Sequence, residues 1–139
     1  MSKINFESFD LPFAGEDPEE EQPSGKSEQL EALQDKVPAR CIFLGEINSE
    51  LNHSPGLEWD VEDYYYLMPW EGPEYDWALF RITWDDNWGN FGWNADARIK
   101  GVADPKTAGR KLFKALMKNW EYDLRKREYA AYRDFLKSI

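Results

Sequence analysis

The sequence is short of the residues on which much enzymatic chemistry relies. It holds one cysteine, Cys41, and one histidine, His53. A lone cysteine forms no internal disulfide, and one Cys with one His falls short of the ordinary zinc ligand sets. Cys41 sits in the apolar run "CIFLG" and His53 in the turn-forming stretch "NSELNHSPG". A nucleophilic dyad would need the two adjacent in space with the thiol exposed, so none is expected. Glycine-rich phosphate cradles are missing as well: "GVADPKTAGRK" fits neither the P-loop nor the G-x-G-x-x-G spacing. No apolar run approaches the roughly 20 residues that span a bilayer. The opening "MSKINFESFD" has a single lysine and no apolar stretch of the kind a secretory leader carries. These absences lead us to expect a soluble cytoplasmic protein, with no membrane contact, metal or cofactor and no catalytic residues. Cys41 is then a small buried hydrophobe in a reducing compartment.

Aromatic residues are abundant: 7 Trp, 7 Tyr and 8 Phe in 139 positions. Large rings bury much area each, so a core built from about 100 residues is adequate. Charge is uneven. Residues 1–97 carry 22 acids against 5 bases, and residues 98–139 carry 12 bases against 5 acids, within a total of −10. An acidic body repels nucleic acid, whereas a basic terminal segment attracts it; two regions that screen each other are the plainer reading.

Residues 14–38 are rich in Glu, Pro, Ser, Gly and Gln and lack the apolar content to offset ordering entropy. We therefore expect a disordered acidic tail and linker over 1–38. Within it "SEQLEALQDK" could form a short helix capped by Ser27, with Leu30 and Leu33 on one face. A short apolar peptide over 4–13 carries Ile4, Phe6, Phe9, Leu11 and Phe13, which dock on this domain or on a partner.

A single α+β domain is expected over 39–139. "ARCIFLGEI" reads as a strand covered on both faces, and "LEWDVEDYYYLMPW" as a second strand ended by Pro69. "YDWALFRITW" and "FGWNADARIKG" alternate with period two and are joined by the turn-forming "DDNWGN". Pairing Trp84 with Phe91 sets Ile82 opposite Trp93, Phe80 opposite Ala95 and Trp77 opposite Arg98. The period changes after Gly101. Asp104 caps a helix with Pro105 in its first turn, and Leu112, Leu116, Trp120 and Leu124 recur every fourth residue. This gives an antiparallel sheet of about four strands with a long C-terminal amphipathic helix packed on one face, unbroken or broken once near "RKRE". Trp84 and Trp93 are expected in the layer between sheet and helix.

Candidate sites follow from residue type. Asp85, Asp86, Asn87 and Asn90 offer hard oxygen ligands, but they miss the EF-hand spacing and suit a tight turn equally well. The acids Glu58, Asp60, Glu62, Asp63, Glu71, Glu74 and Asp76 lie among aromatics. Alternating exposed acids on a strand explain them; a carboxylate pair for glycoside chemistry would need a cleft. Trp70, Tyr75, Trp77 and Trp88 are candidates for an acidic–aromatic partner surface, together with Phe6, Phe9, Leu11 and Phe13. Lys111, Lys114, Lys118, Arg125 and Arg127, beside Lys106, Arg110 and Lys126, form a basic helix face suited to phosphates.

"SFDLPF", Ser8 to Phe13, resembles the sliding-clamp-binding peptides of bacterial replication proteins, whose pattern is Gln-Leu-x-Leu-x-Leu or Phe. Phe9, Leu11 and Phe13 fall on the apolar positions, and Ser8 stands where glutamine is usual. The stretch also resembles the "DIPF" tail of bacterial single-stranded-DNA-binding proteins, although here it is internal. The resemblance implies a protein partner. The expectation is a non-enzymatic regulatory module that binds a protein. The alternative is a nucleic-acid-associated replication or phage-related accessory factor using the basic helix face.

Overall fold

The computed structural model describes residues 2–14, 25–49, 61–85, 88–119 and 129–139. Five strands form one antiparallel sheet: β1 (Lys3–Asn5), β2 (Ile42–Ser49), β3 (Val61–Pro69), β4 (Trp77–Asp85) and β5 (Asn90–Lys100). Their spatial order is β1-β5-β4-β3-β2. Strands β2 to β5 are a meander of neighbours in sequence, and β1 adds to its far edge by pairing Ile4 with Ile99. The helices are α1 (Lys26–Lys36), α2 (Pro105–Asn119) and α3 (Tyr129–Ser138).

Strand β4 dictates the layering. Ala78, Leu79, Phe80 and Ile82 are each at 0% exposure, and successive strand residues point to opposite faces, so both faces need cover. One face carries Ile47, Tyr65, Leu67, Leu79, Ala97 and Ile99 against Leu112, Phe113 and Leu116 of α2 and Tyr132 and Phe135 of α3. Asp104 caps α2 as its sequence suggests, with its carboxylate accepting from Thr107 N at 2.9 Å. The opposite face carries Tyr66, Met68, Ala78, Phe80, Ile82 and Phe91. Phe9, Leu11, Phe13 and the Leu30–Leu33 side of α1 cover it.

Several expectations are corrected here. The sheet has five strands rather than about four, because residues 3–5 supply the extra one. The disordered tail expected over 1–38 does not hold for residues 2–14 and 25–38, which form β1, α1 and an apolar layer. The sheet's second apolar face rewards their ordering. Helix α1 begins after Gly25 with no side-chain cap, so Ser27 is not its cap. Buried Gln29 fastens the helix instead, its side-chain oxygen accepting from Phe91 N at 3.2 Å. The long C-terminal helix is not confirmed: among the described residues α2 has 15 residues and α3 has 10. Trp120, Leu124 and the "RKRE" stretch lie outside the described residues.

Trp84 and Trp93 pack in the cluster with Phe9, Phe13 and α1, not against α2. A bulge explains why the simple alternation misleads. Leu79 pairs with Ala97 but Phe80 pairs with Ala95, so Asp96 is an extra residue. Alternation along β5 is reset there, sending Phe91 and Trp93 to one face and Ala97 and Ile99 to the other. Trp77 therefore meets Ile99 rather than Arg98, while the other three expected pairs stand. The strand read as covered on both faces, β2, is an edge strand with Ile42 and Phe43 exposed.

Phe13 lies 5.1 Å from the Phe80 ring and 5.3 Å from the Trp93 ring. Phe13→Ala should lower the unfolding free energy by about 2 kcal/mol, and deleting residues 1–14 by more. Urea denaturation checks this. A truncated chain with unchanged midpoint would show that the segment does not cover the sheet.

Candidate functional site

The helix-covered face holds a cluster that no alternation of acids predicts. Asp63 on β3, Arg81 on β4 and Asp96 at the β5 bulge converge beneath α3. Arg81 Nη1 lies 3.2 Å from Asp96 Oδ1, and Arg81 Nε lies 3.9 Å from Asp63 Oδ1. Thr83 donates to Asp63 at 2.5 Å, Tyr132 to the same carboxylate at 3.5 Å, and Asn94 to Asp96 at 2.6 Å. Arg81 also donates to the Tyr65 hydroxyl at 3.4 Å. Asp96 Oδ2 is buried without a hydrogen-bond partner among the described residues.

Two carboxylates share one guanidinium out of water, so their protons are held more tightly than usual. Burial raises the Asp63 pKa against the opposing pull of Arg81, Thr83, Tyr132 and Tyr65. Burial likewise pushes Asp96 up to about 6, again against Arg81. Burial would lower the Arg81 pKa, but Tyr65, Asp96 and Asp63 reverse it, so the guanidinium stays charged. Neither of the two cavities described below is lined by Asp63 or Asp96. The cluster joins β3, β4, β5 and α3. Its signal in the sequence is Arg81 itself, the lone base inside the apolar run "WALFRITW".

The aromatic candidates are scattered over different environments. Phe9 stands edge-on to Trp70 at 5.6 Å, and Trp70 stands edge-on to Tyr75 at 5.6 Å. Arg98 lies over all three rings, 5.0 Å from Phe9, 5.1 Å from Trp70 and 4.4 Å from Tyr75. This arrangement ties the N-terminal segment to the β3–β4 turn through cation–π attraction. Trp77 packs on the α2 side, its indole N–H donating to Ala103 O at 3.3 Å. Leu11 and Phe13 are partly buried over the sheet. Only Phe6, at 38% exposure, and Trp88, at 82%, stand well out.

The acids of this region are likewise occupied. Asp76 accepts from Gly101 N at 2.6 Å and Val102 N at 3.1 Å, stapling two turns together. Glu74 accepts from its own backbone N–H and from the Trp70 indole at 3.1 Å, which hold its pKa low, and Lys26 pairs with Glu62. At the β4–β5 tip, Asp85 Oδ1 accepts from Trp88 N at 3.2 Å and Gly89 adopts φ +65°, both fitting turn chemistry. Asp86, Asn87, His53, Glu58 and Asp60 lie outside the described residues. Among the described residues no group of three or more His, Cys, Asp or Glu is placed to hold a metal. Cys41 is half-buried, and burial raises its thiol pKa despite neighbouring Arg40.

Two surfaces remain unspent. A groove of about 330 Å³ lies between the β2 edge, the start of α2 and the end of α3. Ile42, Phe43, Leu44, Leu67, Gly109 and Ile139 line it, with Lys106 among its polar members. A smaller one of about 180 Å³ lies between the N-terminal segment and Trp70. The second unspent surface is the outer face of α2, where Lys111, Lys114 and Lys118 are exposed; Arg125 and Arg127 lie outside the described residues. No described helix is long and apolar enough to cross a membrane.

The geometry defines an α+β protein with a doubly covered antiparallel sheet. No family model, curated protein or solved structure matches the chain.

The buried cluster makes a pH prediction. Folding raises the Asp96 pKa above its ordinary value of 3.8, so the folded state binds the proton more tightly. This group's stability contribution therefore grows as pH falls through about 6 and is lost as pH rises. Between pH 7 and 5 wild type should gain about 1 kcal/mol relative to Asp96→Asn in parallel urea titrations. Identical pH slopes would contradict this. Arg81→Met should cost about 3–5 kcal/mol at pH 7, because it leaves two buried carboxylates uncompensated.

Proposed function

We propose that the protein is a non-enzymatic interaction module that receives an extended segment of a protein partner along strand β2. The observation that carries the reading is the exposure of Phe43, at 52%, with Ile42 at 39%, on an edge strand. The sheet's two edges are β1 and β2, and they differ in length: β1 has 3 residues and pairs with β5, whereas β2 has 8 and pairs only with β3 among the described residues. An open edge that displays large apolar side chains is a template for strand addition. The adjoining groove offers a pocket for one apolar side chain of the incoming segment, and Lys106 offers a cation for an acidic one.

The reading keeps the protein partner expected from the sequence but moves the contact surface. Phe9, Leu11, Phe13, Trp70 and Tyr75 are engaged with each other, with Arg98 or with the sheet. Releasing them would uncover Phe80 and Trp93, which makes them poor candidates for a freely presented peptide. Trp88, exposed at the hairpin tip, is a separate contact point.

Selection from a random peptide library tests this. The full chain should enrich extended segments with alternating apolar residues, and Phe43→Lys should weaken the enriched peptides at least about tenfold, the loss of one buried anchor. Enriched peptides that bind the variant equally, or no enrichment at all, would remove the reading.

A further inference from the structure

The charge on α2 is distributed in a way that packing does not require. The helix sequence "PKTAGRKLFKALMKN" contains five bases and no acid, within a chain whose net charge is −10. Lys106, Arg110, Lys111, Lys114 and Lys118 are all exposed. None of the five forms an ion pair with a described residue, whereas Lys26, Arg40 and Lys100 elsewhere do. At about 100° per residue the five fall within an arc of about 140°, opposite the side that buries Leu112, Phe113 and Leu116. Along the axis, Lys106 to Lys118 spans about 18 Å at 1.5 Å per residue.

We propose that this face of α2 binds the phosphate backbone of nucleic acid, without reading base sequence. The count carries the choice of ligand. A nucleic-acid strand presents one charge per about 3.4 Å, so an 18 Å stripe lies alongside about five phosphates, one for each cation. An anionic membrane fits less well. The apolar residues of α2 are turned into the core, and the exposed positions beside the stripe are Thr107 and Asn119, which leaves no side chain to insert among acyl chains. The acidity of the remaining chain has a use in this arrangement: it repels a polyanion from other faces and so restricts docking to the stripe. The surface is separate from the Phe43 edge except at Lys106, which touches the groove. A protein partner and a nucleic acid would share Lys106 alone.

The test uses the full chain and a mixed-sequence duplex of about 20 base pairs, one of its strands alone, and phosphatidylserine-containing vesicles, with binding followed by fluorescence anisotropy or co-sedimentation. Five phosphate contacts give a slope of log K against log salt of about −4 to −5 for duplex, or several hundredfold weaker binding between about 50 and 200 mM salt. A slope nearer −3 to −4 with the single strand alone would identify that form as the ligand. Lys111→Glu combined with Lys114→Glu should weaken binding at least about tenfold and flatten the slope by about two. Arg133→Glu on α3, which is also exposed, should leave both unchanged. The variants lie on the surface, and matching circular dichroism and urea midpoints would show that they fold. Three results would overturn the proposal: no salt-sensitive binding to either nucleic acid near 50 mM salt, binding that survives the double reversal, or binding to the vesicles alone. Loss of peptide binding in Phe43→Lys with nucleic-acid binding intact would separate this surface from the groove.

Discussion

Strand β4 cannot present either face to water. Its run of fully buried residues, Ala78 to Phe80 and then Ile82, places large side chains on both sides of the sheet. The chain must therefore supply two covering layers. The C-terminal half of the chain supplies one as α2 and α3; the residues before β2 supply the other as the Phe9–Phe13 segment and α1. Everything left for function is what these two layers do not consume. In the N-terminal segment, Phe13 packs on Phe80 and Trp93, and Phe9 on Trp70.

The second constraint is the single extra residue in β5. By inserting Asp96, the chain turns Ala97 and Ile99 towards α2 while Phe91 and Trp93 face the N-terminal layer. The same residue brings a carboxylate against Arg81, beside Asp63 and Tyr132. A buried charge cluster is costly unless it is well paired, and a register slip in β5 would strand Arg81 without Asp96. That is why an arginine can sit in the middle of the sheet.

How much of this was legible in the sequence depends on the range of the signal. Period-two alternation gave the β4–β5 hairpin and three of its pairs, because cross-strand pairing near a turn is a local matter. Asp104 and Pro105 marked the start of α2 for the same reason. The bulge was hidden, since one inserted residue leaves the apolar composition unchanged and only reverses which face each side chain meets. The role of residues 2–14 was hidden more deeply. Their five apolar residues were conspicuous, yet whether they cover their own sheet or a partner depends on a second apolar face that the sequence around β4 only implies. Among candidate residues, Lys111, Lys114 and Lys118 lie on the exposed helix face that their spacing suggests. Phe43 went unnoticed because edge position is a property of the sheet and not of the strand.

The molecule has a closed interior and two outward surfaces of opposite character, an apolar strand edge at β2 and a basic helix face at α2. The closed interior depends on the N-terminal segment being part of the fold. The direct measurement is a nuclear Overhauser spectrum of the full chain with labelled aromatic residues. The account predicts cross-peaks from the Phe13 ring to the Phe80 and Trp93 rings, and displaced shifts for Phe9 beneath Arg98. Random-coil shifts for residues 9–13 with no such cross-peaks would contradict it, and would return those aromatics to the list of surfaces a partner can take.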